Sequence, residues 1–221
     1  MKTITSLASL VALASALFAM SASADHHFID FYPINSGVKS MTGQMQVPST
    51  DINSGIPYLW PGLLASGNNG VLQPVLDGRD GHWIWGNNYV DSDNSYTGAN
   101  GSVPAPLSST LSYVLQNSND GKNNWYSEVS NENGDKASYN FEIGKSMTQT
   151  VFDCELYNVD WNFGDVVFTN TEVVAYGSDL SWCKDSPYSS SVNYKIEGLS
   201  SSTGDGTVTC KIDKVTLSPP S

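Results

Sequence analysis

The chain has 221 residues, and 22 Asp and Glu against 10 Lys and Arg give it a formal net charge of −12. A surface of that sign repels phosphates and offers no basic patch to anionic lipid, so neither nucleic acid nor membrane is expected as a partner. Residues 1–24 carry one charge at Lys2, an apolar run from Leu7 to Met20, and small residues at Ala22 and Ala24 before Asp25. That layout reads as a secretory signal peptide, with the mature, extracellular protein starting near Asp25. Beyond it no apolar run reaches the roughly 20 residues that span a bilayer.

Strand-like runs then follow one another with turn punctuation between them: "KSMTGQMQVP", "GVLQPVL", "GHWIWGNNYV", "STLSYVLQ", "NWYSEVSN", "ASYNFEIG", "MTQTVFDCELYNV", "DVVFTNTEVVAY", "SVNYKIEGL" and "GTVTCKIDKVTL". The intervening "NSNDGKN", "NENGDK" and "STGDG" supply the Asn, Asp and Gly that tight turns require. No long stretch has helical periodicity, so the expectation is an all-β antiparallel sandwich of one domain over residues 25–176, monomeric. The segment 177–221 reads either as two further strands or as a mobile tail.

Three cysteines in an oxidising compartment allow at most one internal disulfide. Cys183 and Cys210 share the late segment and are the expected pair, leaving Cys154 as a buried free thiol. Asn100-Gly101-Ser102 is a glycosylation candidate in a Gly, Asn and Ser stretch that reads as exposed loop. There is no HExxH, no zinc-like cysteine spacing, no G-x-S-x-G and no Gly-rich phosphate loop, so no metal or other cofactor is expected.

Two polar residues interrupt apolar strands. In "GVLQPVL" the period of two places Val71, Gln73 and Val75 on one face; Pro74 lacks an amide donor and holds Gln73 extended. In "TVFDCELYNVDW" Glu155 faces opposite to Cys154 and Leu156, which suits a strand with a core face and an accessible face. A buried amide without a partner costs about 1–3 kcal/mol, so Gln73 needs a partner, water or a task.

The order of "TGQMQVPS", "YLWPGL", "GVLQPVL", "HWIWGNNY", "FDCELYNV" and "NFGDVVFTNTEV" resembles the fungal glutamic peptidases, the eqolisin family, over residues 42–174. The resemblance implies a concanavalin-like β-sandwich and a secreted acid endopeptidase. It matches Gln73 and Glu155, 82 positions apart, to the catalytic pair. Glu155 is then the general base that activates water, and Gln73 the donor to the tetrahedral oxyanion. Trp60 and Trp83 match substrate-binding tryptophans; Trp85 and Tyr89 are candidates for the same groove, where flat rings flank a peptide or stack on sugar. The chain departs from the family where supporting acids are expected, with Leu64 and Trp85 in their places. A non-catalytic relative that binds carbohydrate or a host protein is therefore the second reading.

Overall fold

The computed structural model describes residues 24–31, 34–67, 69–93 and 95–220. The expected leader falls almost wholly outside them. Among the described residues there is no helix, and hence none long and apolar enough to cross a membrane.

Alternating side chains make two-faced strands, and two antiparallel sheets pack by burying one face each. The strands in chain order are β1 (Asp25–Phe31), β2 (Val38–Gln46), β3 (Ile56–Ala65), β4 (Val71–Asp77), β5 (Ile84–Val90), β6 (Tyr96–Pro104), β7 (Thr110–Asn117) and β8 (Trp125–Asn131). There follow β9 (Lys136–Phe141), β10 (Met147–Tyr157), β11 (Val166–Tyr176), β12 (Tyr188–Ser189), β13 (Asn193–Glu197), β14 (Ser200–Gly204) and β15 (Thr207–Ser218). The first sheet runs β12-β1-β10-β3-β4-β5-β6, and the second β13-β15-β11-β2-β7-β8-β9, with β14 paired to β15.

The core between the sheets is drawn from every second residue: Leu59 and Leu63, Leu72 and Leu76, Phe152, Cys154 and Leu156 from the first sheet, Met41, Met45, Leu111, Tyr113, Leu115, Phe168 and Val173 from the second. The Tyr113 hydroxyl, paired in this layer with Thr171 at 3.1 Å, needs room. Gly43 provides it, since a Cβ there would lie 2.4 Å from the tyrosine oxygen. In β11 the register slips between Thr169 and Glu172, and Asn170 takes a left-handed backbone (φ 50°) at that bulge while donating to Gln44 Oε1 at 2.7 Å.

The late segment is not a tail. β15 pairs with β11 from Val166↔Leu217 to Tyr176↔Thr207, and its Val208, Cys210, Ile212, Val215 and Leu217 are core. Cys183 and Cys210 are joined as expected, and Cys154 is a buried free thiol. Asn100 lies in strand β6 at the edge of the first sheet, a correction to the loop expectation; Gly and Asn hide a strand there because an edge has fewer side chains to pack.

Candidate functional site

The outer face of the first sheet holds a second, smaller apolar cluster of Trp60, Val75 and Val151, against which Phe28, Tyr58, Leu64 and Val71 pack. Register sorts this face into rows, because residues directly opposite in antiparallel strands share a face. One row contains His26, Glu155, Tyr58, Asp77 and Ile84, from β1 through β10, β3 and β4 to β5. The next has Phe28, Asp153 and Trp60, continuing to Val75 and Gly86. The third has Asp30, Val151 and Gly62, continuing to Gln73 and Asn88.

The ladder between β3 and β4 forms at Tyr58↔Asp77 and Leu59↔Leu76 and again at Leu63↔Leu72 and Leu64↔Val71, but not between. Carrying that register through the gap sets Pro61 opposite Pro74. Two residues without amide hydrogens then face each other, and the hydrogen bonds they cannot make leave a window in the sheet. This explains why a proline follows Gln73. Trp60, Gly62, Gln73 and Val75 surround the window, with the benzo edge of Trp60 so close over Gly62 that a Cβ there would lie 3.1 Å from it.

Gln73 is 8% exposed, and its Oε1 is buried without a hydrogen-bond partner. Glu155, its side chain 13% exposed, accepts from Trp60 Nε1 at 3.2 Å and from the Tyr157 hydroxyl at 2.5 Å. Burial and the bond to Glu155 push the Tyr157 phenol upward, so it stays a donor. His26 Nδ1 meets Asp153 Oδ2 at 2.8 Å, and its Nε2 lies 3.9 Å from Glu155 Oε1. That bond to Asp153 raises the histidine above its ordinary value, against the opposing effect of burial.

Gln73 and Glu155 share this face but are not brought together. They are two strands apart and four residues out of level, about 10 Å across the strands and about 13 Å along them. The position on β10 level with Gln73 is Val151. The sequence alone misses this because separation along the chain carries no register.

The expected aromatic groove is corrected as well. Of the four rings only Trp60 faces outward. Trp83, Trp85 and Tyr89 lie in the core between the sheets, where the Trp83 indole donates to Thr50 O and the Trp85 indole to Ser112 O. The alternation that puts Trp83 and Trp85 on one face also decides that this face is the inner one.

Three solved structures are similar over 87% of this chain. Two are of scytalido-glutamic peptidase, one with a transition-state analogue inhibitor and one with a peptide-based transition-state analogue; each shows 17% identity and a TM-score of 0.53, with 98% of its own chain covered. The third is SCP-B, a member of the eqolisin family of peptidases, with the tripeptide Ala-Ile-His, at 16% identity, a TM-score of 0.54 and 100% of its chain covered. The chain shares the fold of the glutamic peptidases. No protein-family model matches the chain, and no curated protein matches it in sequence. At 87% of the chain the structural likeness is longer than the motif resemblance over residues 42–174.

Three residues on the outer face escape sequence reasoning: His26, Asp30 and Asp153. Asp153 is 2% exposed with Oδ1 unpartnered. Asp30 is 8% exposed, also with an unpartnered Oδ1, and burial pushes its carboxyl up to about 6 against one long bond from Gln149. Their signal was present as acids alternating with apolar residues in "HFIDF" and "VFDCE", but a strand with a solvated face looks the same. Among the described residues no group of three or more His, Cys, Asp or Glu could hold a metal ion.

Proposed function

We propose that the chain is an exported protein that lays an extended polypeptide across the outer face of its first sheet. The observation that carries this reading is the window opened by Pro61 and Pro74, where Gln73 presents a buried, unpartnered amide oxygen beside Trp60 and Gly62. A desolvated amide in a break of the ladder suits a ligand that brings its own backbone donors and acceptors. The peptide-like ligands in the similar peptidase structures support the same occupant. Titrating the mature protein with labelled, unfolded casein tests it. Saturable binding that Gln73→Leu weakens about tenfold, the scale of losing a polar contact in a dry site, is expected. Absence of binding by the folded wild type overturns it.

A second reading, cleavage of the bound polypeptide in acid by Gln73 and Glu155, is favoured by their common face and by the two donors that hold the Glu155 carboxylate. Glu155 as general base and Gln73 as oxyanion donor must both reach one peptide carbonyl, so this reading requires β4 and β10 to change their register when substrate binds. Hydrolysis of denatured haemoglobin in acid, lost in both Gln73→Ala and Glu155→Gln, is the expected result. Activity that survives either substitution removes that residue from the chemistry.

A further inference from the structure

Among the described residues, the buried polar atoms left without a partner on the outer face are Asp30 Oδ1, Asp153 Oδ1 and Gln73 Oε1. All three are acceptors. They stand on β1, β10 and β4, so the shortage of donors extends across the face rather than lying at one residue. An unsatisfied buried acceptor costs about 1–3 kcal/mol, and more when it carries charge, so these positions are relieved only by a ligand rich in N–H donors. Carboxylates further specify that ligand, because an ionised acceptor is best met by a cation.

The face already shows what it accepts. Asp77 holds the Arg79 guanidinium at 2.7 Å, and that guanidinium lies over the Tyr58 ring at 5.4 Å from its centre. On the other side of Tyr58 the same pattern is repeated with Glu155 and the Tyr157 ring, which meets Tyr58 edge to face at 5.8 Å. There Trp60 and Tyr157 donate to Glu155, and the two carboxylates share one imidazole, His26, at 2.8 Å from Asp153 and 3.9 Å from Glu155, which leaves one negative charge of the pair unmatched even when the ring is protonated. A chain of net charge −12 also draws cationic partners toward it.

We propose that the outer face of the first sheet selects polypeptides rich in Lys and Arg, with Glu155, Asp153 and the rings of Tyr58 and Tyr157 forming the subsite for a basic side chain. This rests on the reading of that face as a polypeptide site. A planar guanidinium between a carboxylate and aromatic rings gains charge-assisted hydrogen bonds and a cation–π contact together. A neutral glycan brings acceptors as well as donors and leaves the second carboxylate without a cation.

The test uses the mature protein and labelled peptides of one length, one rich in Lys and Arg, one neutral and one acidic, followed by fluorescence anisotropy. The basic peptide should bind at least about tenfold more tightly than the neutral one, the span of one charge-assisted contact, and the preference should shrink with added salt. Glu155→Gln and Asp153→Asn should each erase most of the preference, while Asp205→Asn, which removes a charge from the turn between β14 and β15, should keep it. Should Asp153→Asn fail to fold, Glu155→Gln carries the comparison. If the three peptides bind equally, or Glu155→Gln leaves the preference intact, the basic subsite is wrong although the polypeptide site stands. No peptide binding, or saturable binding of a neutral oligosaccharide alone, removes both.

Discussion

Gln73 on β4 stands level with Val151 on β10, with Gly62 of β3 between them. The carboxylate that the motif order pairs with Gln73 is four residues further along β10, in the row of Tyr58 and Asp77. A side chain that could share one water molecule with Gln73 must therefore rise from position 151. Val151→Glu is expected to hydrolyse denatured haemoglobin in acid above the wild-type rate, and Val151→Glu with Gln73→Ala is not. The added carboxylate should lower stability by about 1–3 kcal/mol, because it is buried with few partners. Equal rates for the single and double variants would show that level alignment is not what the chemistry lacks.

The two outermost readings of the tryptophans separate by stability. Trp85 is fully buried between the sheets, so Trp85→Ala should cost about 3–5 kcal/mol in urea denaturation. Trp60→Phe keeps most of the packing and deletes the indole donor to Glu155. It should cost about 1 kcal/mol and change peptide binding more than it changes the denaturation midpoint.

Strand β1 makes the fold prefer acid. The Asp30 carboxyl is raised from 3.8 to about 6 by burial, so the folded state holds its proton more tightly and stability falls as pH climbs through that interval. His26 is raised above 6.5 by Asp153, so its contribution is fully present below 6.5 and is lost as pH rises past its folded value. Against these, Asp91 is lowered to about 2 by Lys145, and Glu128 is lowered by Lys136 and Tyr126; their contributions fade only as pH falls through those low values. Denaturation midpoints measured across pH should peak in mild acid. Asp30→Asn should flatten the decline between about 4 and 6, and His26→Asn the decline above 6.5.

Reducing the Cys183–Cys210 bridge, or replacing both residues by Ser, should cost about 3–4 kcal/mol by the loop entropy of its 27-residue separation. Cys154 should stay unlabelled by thiol reagents until the chain unfolds, since burial pushes its thiol far up and keeps it from reagent.

The strands with clean alternation, such as "STLSYVLQ" and "NWYSEVSN", were legible as β7 and β8, and so was the two-faced character of "TVFDCELY". β1 was not, because "DHHFIDF" has acids and histidines where a core strand has apolar residues; its outer acids are explained only by the face they share with Asp153 and Glu155. β3 was hidden by Pro57 and Pro61, which normally argue against a central strand; Pro61 is tolerated because Pro74 falls opposite it. Gln73 and Glu155 were legible as exceptions and as residues of one face, since alternation assigns a side within a strand. Their mutual distance was not, because it depends on how β3 slides between β4 and β10.

Strand order also governs how the chain can fold. β1 finds its full-length partner only in β10, Asp25 against Leu156, while β11 must be clasped by β2 on one side and β15 on the other. Among the described strands, the successive hairpins β3 to β6, β7 to β9 and β14 to β15 are the pairings that form between neighbours in the chain. Pairings of such long reach close slowly, since loop entropy is lost before the contacts repay it. The second sheet of a nascent chain therefore stays incomplete until β15, near the end of the sequence, has been made.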